Sequence, residues 1–282
     1  MRKILLTLLG SALAALPVQA QLFKKHILTG MYLQWGYNRV GYTKSDLHFV
    51  NGDQYNFTVH KVKSNDQPDF SGWRTNPLDI SIPQYNYRIG FYLNKKHTHA
   101  IEINFDHTKY IVTDYQPYNI TGQIGGQSIN WKDTLLNPQY LHVEHTNGAN
   151  FFHLNYVGQY EIVKSKKRYS PRLTAVWKAG AGVVVPKSDI FLFGKHLDNV
   201  FHVAGFVVSG EAGVRFYPAR NLFLELTGKG GFADYLNVLT VADGGCIHHN
   251  FGYAEGVFTI GYDINFGKYR YKLPNKNKGK EE

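Results

Sequence analysis

Six histidines, His107, His142, His145, His202, His248 and His249, lie in segments that also carry Asp106, Glu144, Asn147 and Asp234. Imidazole beside carboxylate serves general acid–base chemistry and, equally, divalent-metal ligation. No HExxH and no paired CxxC is present, and the chain has a single cysteine, Cys246. The densest stretch is Glu144-His145-Thr146-Asn147-Gly148. A hydroxyl nucleophile needs a base within hydrogen-bond reach. Adjacent strand residues point to opposite faces, so this stretch becomes a site only where the backbone kinks, at Asn147-Gly148. The candidate catalytic residues are therefore His145, Glu144, Thr146, Asn147 and Asp106. No cofactor is implied and no metal can be assigned. Gly228-Lys229-Gly230-Gly231 is not a phosphate loop, because no helix follows it.

The chain that must position these groups has 282 residues, 18% charged and 15% aromatic, with 20 Tyr and 18 Phe against 4 Trp. An average soluble domain carries about 25% charged residues. Residues 1–20 read as a secretory signal peptide: Arg2 and Lys3, an apolar run from Ile4 to Leu16, then Val18-Gln19-Ala20. Its removal takes the formal net charge from +10 to +8 by loss of Arg2 and Lys3. An exported basic chain is expected to meet anionic membrane surface and not nucleic acid. One cysteine forms no internal disulfide. Residues 267–282 read as a basic periplasmic tail.

Between these ends the hydrophobic period is two nearly everywhere. Tyr85, Tyr87, Ile89, Phe91 and Leu93 alternate with Asn86, Arg88 and Gly90; Phe258, Ile260, Tyr262, Ile264 and Phe266 alternate with Thr259, Asp263 and Asn265. The runs extend over about 12 to 17 residues, against about 5–6 for an ordinary strand. Long strands with one apolar and one ionisable face imply an antiparallel transmembrane β-barrel over residues 21–266, apolar face to lipid. Trp35, Tyr37, Tyr110, Trp177, Tyr217, Tyr262 and Tyr269 are expected to form its interfacial girdles.

Short connections at 94–97, 164–168 and 218–221 alternate with long ones at 39–81, 113–138, 185–200 and 236–250. This gives eight strands: 27–38, 82–93, 98–112, 139–163, 169–184, 201–217, 221–235 and 251–266. Strand 139–163 needs a kink at Asn147-Gly148-Ala149. In loop 39–81, Tyr55, Phe57 and Val59 alternate with Asn56, Thr58 and His60. That is an extracellular hairpin, or an extra strand pair that makes ten. The expected lumen residues are Arg88, Glu102, Asn104, Asp106, Glu144, His153, Glu161, Lys178, Glu211, Arg215, Glu225, Lys229, Glu255 and Asp263. Buried charges persist only when paired, and pairing across the 94–97 turn sets Arg88 opposite Glu102 or Asn104.

In architecture and pattern, residues 27–266 resemble the small outer-membrane barrels of Gram-negative bacteria, the class of OmpA-like, OmpW-like and lipid A-modifying barrels. Phe266 is similar to their terminal aromatic, although sixteen residues follow it. The resemblance implies lipid and lipopolysaccharide as neighbours, the outer-membrane assembly machinery as a partner, and extracellular loops open to a ligand. Residues 144–148 also resemble the His-x-Ser-Asn signature of lipid A deacylase barrels, which hydrolyse an acyl ester at the outer leaflet; here His145 stands one position before the hydroxyl residue, not two. The reading is thus a structural or binding barrel, with an outer-leaflet lipid hydrolase as the alternative and a narrow pore as a third.

Overall fold

A computed structural model describes residues 28–66, 84–146, 148–164, 171–240 and 244–266. Strands are numbered in chain order. Eight form a closed antiparallel ring: β1 (Gly30–Tyr42), β5 (Tyr85–Tyr92), β6 (His99–Asp106), β11 (Phe151–Lys164), β12 (Pro171–Val184), β15 (Gly205–Phe216), β16 (Leu222–Leu239) and β17 (Cys246–Asn265), with β17 pairing back onto β1. Register fixes the ring's shape. Hydrogen-bonded partners followed from Tyr32 through Gly90, Glu102, Asn155, Gly180, Ser209, Gly231 and Tyr253 return to β1 at Tyr42, ten residues above the start. With strands about 4.8 Å apart and a rise of about 3.3 Å, that stagger tilts them by about 40° and leaves a radius of about 8 Å. Such a ring is filled by its own side chains.

The polarity of the ring is inverted. Tyr87, Ile103, Leu154, Trp177, Leu226 and Phe258, from six strands, are 49–59% exposed on its outside. Arg88, Glu102, Lys178, Arg215, Glu225 and Lys229 are buried inside. Period two explains both: each strand sends alternate residues to opposite faces. Arg88 stands opposite Asn104, one of the two partners that the turn arithmetic allowed. The lumen floor is aromatic: Tyr32, Tyr92, Tyr217 and Phe223 pack together, with the Arg215 guanidinium 4.0 Å above the Phe223 ring. Over it lies an ion network. Arg88 donates to Glu211 at 2.5 Å, Arg215 pairs with Glu225 at 2.7 Å, Lys178 joins Glu102 at 3.1 Å and Glu225 at 2.8 Å, and Lys229 holds Asp106.

The remaining strands build a dome above one end. They are β2 (Ser45–Asn51), β3 (Tyr55–Val62), β4 (Ser64–Asn65), β7 (Tyr110–Val112), β8 (Pro117–Ile124), β9 (Gln127–Leu135), β10 (Leu141–His145), β13 (Asp189–Leu192) and β14 (Lys195–Asp198). β17 outruns β1, and its upper end pairs with β2, which continues through β3 and β8 to β9. A second sheet runs β14-β13-β10-β7-β4. Leu47, Phe49, Phe57, Ile120, Val143, Ile190 and Ile247 form one apolar core that continues into the ring's mouth through Phe151, Phe251 and Tyr253.

The structure revises several expectations. Residues 139–163 are not one strand. β10 belongs to the dome and β11 to the ring, separated where Gly148 and Asn150 take positive φ (+121° and +20°). Residues 98–112 likewise divide into β6 and dome strand β7. The connection 236–250 is largely ladder, with Val238 opposite Ile247, because these residues gain a core to enter. The ten-strand alternative is excluded: β2 and β3 stand as a hairpin above the ring. Glu144 is a dome residue, and Glu161 is half-exposed beside a register irregularity low on β11. Tyr110 and Tyr217 point inward and belong to no girdle. The 1–20 signal segment, the 164–168 turn beyond Lys164, Tyr269 and the 267–282 tail lie outside the described residues.

Candidate functional site

β10 carries the densest candidate stretch, and its two faces meet different surroundings. Its inward face bears His145, which is wholly buried. His145 Nδ1 lies 2.7 Å from Ser188 Oγ, and its Nε2 lies 3.1 Å from His249 Nε2. The ring stacks on Tyr235 at 5.1 Å and on Tyr110 at 5.6 Å. Burial pushes His145 down to about 3, so the imidazole is neutral at ordinary pH. A serine, an imidazole and a second imidazole in series have the order of a nucleophile, base and orienting group. Ser188 is itself fully buried, so the chain is sealed in the dome's interior.

The other face bears His142, Glu144 and the following Thr146. Thr146 Oγ1 donates to Glu144 Oε1 at 2.7 Å; Glu144 Oε2 lies 3.2 Å from His142 Nε2; and His142 Nδ1 lies 2.8 Å from Asp114 Oδ1. Both nitrogens of His142 therefore face carboxylates. The Glu144 hydrogen bond, opposed by partial burial and reinforced by Asp114, raises His142 to about 9. Burial pushes Glu144 up, but its bonds to His142 and Thr146 hold it below the usual carboxylate range. His142 is thus a cation between two anions, with no lone pair left to act as a base. The hydroxyl of Thr146 meets a carboxylate and not an imidazole.

The five candidates do not converge. His145 points into the dome, Glu144 and Thr146 point out of it, and Asp106 lies in the lumen between Lys229 and Arg88. Among the described residues no hydrogen bond or ion pair joins Asp106 to the other three. Asn147 lies outside the described residues. Of the other rim histidines, His107 contacts Asn150 at 2.8 Å and His202 contacts the Asn237 carbonyl at 2.6 Å. Among the described residues no three His, Cys, Asp or Glu groups stand ready-made around a metal position. Nothing in the sequence marks Ser188 and Asp114, two of the groups that contact the β10 imidazoles from outside β10. Neither lies in a local motif, and only the folding of β10 against β7 and β13 brings them near.

No protein-family model and no curated protein sequence matches the chain. Solved structures do. The outer membrane protein OprG from Pseudomonas aeruginosa is 8% identical over 85% of this chain and 98% of its own, with a TM-score of 0.38. The attachment invasion locus protein Ail of Yersinia pestis, solved with the heparin analogue sucrose octasulfate, is 9% identical over 84% of this chain and 100% of its own, with a TM-score of 0.34. The outer membrane protease OmpT from Escherichia coli is 6% identical over 84% of this chain and 97% of its own, with a TM-score of 0.37.

Proposed function

We propose that this chain is an outer-membrane β-barrel protein that works at the cell surface through its folded dome, in a binding or structural role, with its ring serving as the anchor. The outside of the ring offers an apolar band of half-exposed Leu, Ile, Val and aromatic side chains, which a water-soluble protein would bury and a lipid bilayer would cover. Closure of the ring leaves no unpaired edge in that band. Lipid and lipopolysaccharide are then its neighbours, and export through a cleaved signal peptide with help from the assembly machinery is its route.

The observation that carries a binding role over a pore is the filled lumen. Aromatic floor, ion network and apolar mouth follow one another from end to end, and the dome core closes the top. Reconstituted in planar bilayers, the protein is expected to give no steady ion conductance; discrete, reproducible channels would overturn this reading.

The hydrolase alternative keeps one supporting observation, the Thr146 hydroxyl held on Glu144 at the dome surface. His145→Ala and Thr146→Ala are expected to leave lipid A acylation unchanged when profiled by mass spectrometry. Loss of an acyl-cleaved species in either variant, at normal protein level, would establish the hydrolase instead.

A further inference from the structure

Four large apolar side chains crowd one flank of the dome's base. Val200, Phe201 and Val203, between β14 and β15, are 67%, 58% and 64% exposed, and Leu236 on β16 is 52% exposed. Their backbone is pinned. Asn199 N–H donates to the Ser188 carbonyl, and Ala204 N–H donates to the Val184 carbonyl. The Ala204 carbonyl accepts from Leu236 and Asn237, and His202 Nε2 lies 2.6 Å from the Asn237 carbonyl. Asn199 and Ala204 turn inward and are buried, while the apolar side chains between them are held outward. Contiguous apolar surface held in place in this way marks a face that something covers.

The patch continues the lipid-facing side of the ring. Phe206 on β15 and Phe232 on β16 point outward below it. On the outer face of β16 the order from below is Phe232, Asp234, Leu236, with Ala233 and Tyr235 buried between them. A carboxylate set between apolar residues suits the boundary between headgroups and acyl chains. Across the ring, on β6, the outward apolar residues stop at Phe105, and His107 follows. Phe105 pairs with Phe152, Phe152 with Val183, Val183 with Phe206, and Phe206 with Asp234. A full circuit climbs ten residues, so this half circuit climbs about five, and Leu236 stands two further up β16. At about 3.3 Å per residue and a tilt of about 40°, the apolar surface reaches about 18 Å higher on the β16 flank than on the β6 flank.

We propose that Val200, Phe201, Val203 and Leu236 insert into the headgroup–acyl boundary of the outer leaflet, so that the dome rests on the membrane along its β15–β16 flank. This rests on the membrane reading of the ring. Continuity with the lipid-facing band selects lipid over a protein partner. The charge carried in with the loop is compensated, because Asp198 pairs with Lys187 at 3.3 Å.

The test places nitroxides on the full chain, in a Cys246→Ser background, reconstituted at high dilution in vesicles of phosphatidylethanolamine and phosphatidylglycerol. Phe201→Cys, Val203→Cys and Leu236→Cys report on the patch, and Leu226→Cys and Phe258→Cys on the lipid-facing band. Leu135→Cys, at a site 68% exposed elsewhere on the dome, reports on water. Each label's collision rate with oxygen, which concentrates in lipid, is compared with its rate with a water-soluble nickel chelate. Relative to position 135, the oxygen-to-nickel ratio should rise at least about threefold at 201, 203 and 236, and further at 226 and 258. As a check free of the label, Phe201→Trp should add fluorescence that brominated lipid quenches and aqueous iodide does not. Patch labels as open to water as position 135, with 226 and 258 in lipid, would overturn the insertion and leave the membrane anchor standing; 226 and 258 in water would overturn both. Patch labels screened from both reagents, or broadened by a neighbouring nitroxide, would overturn lipid as the occupant and give the face to a second copy of the chain.

Discussion

The ring and the dome are two halves of one set of strands with opposite insides. In the ring, Arg88, Glu102, Lys178, Glu211 and Glu225 are buried and the apolar residues face out; in the dome, Phe49, Phe57, Val143 and Ile247 are buried and charged residues such as Asp46, Lys61 and Glu144 face out, with neutral His145, Ser188 and His249 among the buried polar exceptions. β17 passes through both: Glu255 is buried in its lower part and Ile247 in its upper part. The surroundings outside decide the sense. Lipid accepts the apolar face of the ring, leaving the ionisable face to pair with itself, whereas water above the membrane turns the same period-two pattern the ordinary way round. β10 repeats the lesson within three residues. His145 on its inner face is lowered to about 3 by burial, and His142 on its outer face is raised to about 9 by its Glu144 and Asp114 partners.

The sharpest way to break the comparison is to remove charge from the ring. Arg88 faces Glu211, Glu225 and Asp106. Arg88→Leu leaves those carboxylates without one of their cations and should cost about 3–5 kcal/mol, read as a lower urea midpoint for ring unfolding in micelles. Arg88→Lys should recover part of the loss.

A smaller effect, confined to the dome, is expected from Phe57→Ala. Phe57 stacks on Phe49 with centroids 4.8 Å apart and is nearly fully buried. Truncation should cost about 3 kcal/mol and open β2, β3 and β8 to protease, while the ring fragment stays folded and resistant. Joint loss of ring and dome would show that the two are one cooperative unit.

The smallest effects concern pH, and the two β10 histidines give opposite signs. Below about 6.5 the unfolded chain takes up a proton that folded His145 refuses until about 3, so dome stability falls as pH drops through that window. Between about 6.5 and about 9 folded His142 holds a proton the unfolded chain has lost, so stability falls as pH rises through that window. Dome proteolysis measured against pH should therefore be slowest near neutrality. His145→Leu should make the acid limb shallower, leaving the part that His249 and His107 contribute because burial lowers them too, and His142→Gln should flatten the alkaline limb; a limb unchanged by its variant would mean that residue does not titrate there.

The period-two alternation determined the class of fold, the positions of two short turns and the choice of Glu102 or Asn104 as partner of Arg88, because a strand's two faces are written in consecutive residues; the structure settled eight strands over ten and Asn104 over Glu102. The alternation also marked Tyr55, Phe57 and Val59 as strand, while the structure decided that they form a hairpin above the ring and no extra ring pair. The dome itself was decided only in three dimensions. Val143, Ile190, Val238 and Ile247 are apolar in a pattern that long loops and strands share, and only their mutual burial tells the two apart. The fate of the candidate site was decided in the same way. A histidine, a carboxylate and a hydroxyl in sequence suggested one centre, yet the chain turns out of the ring at Gly148 and sends His145 to Ser188 and His249, and Glu144 to His142 and Thr146. Contacts between residues 43 and 104 positions apart, as His145 makes with Ser188 and His249, leave no trace in a local motif. They arise when the strands pack, and packing depends on the whole chain at once.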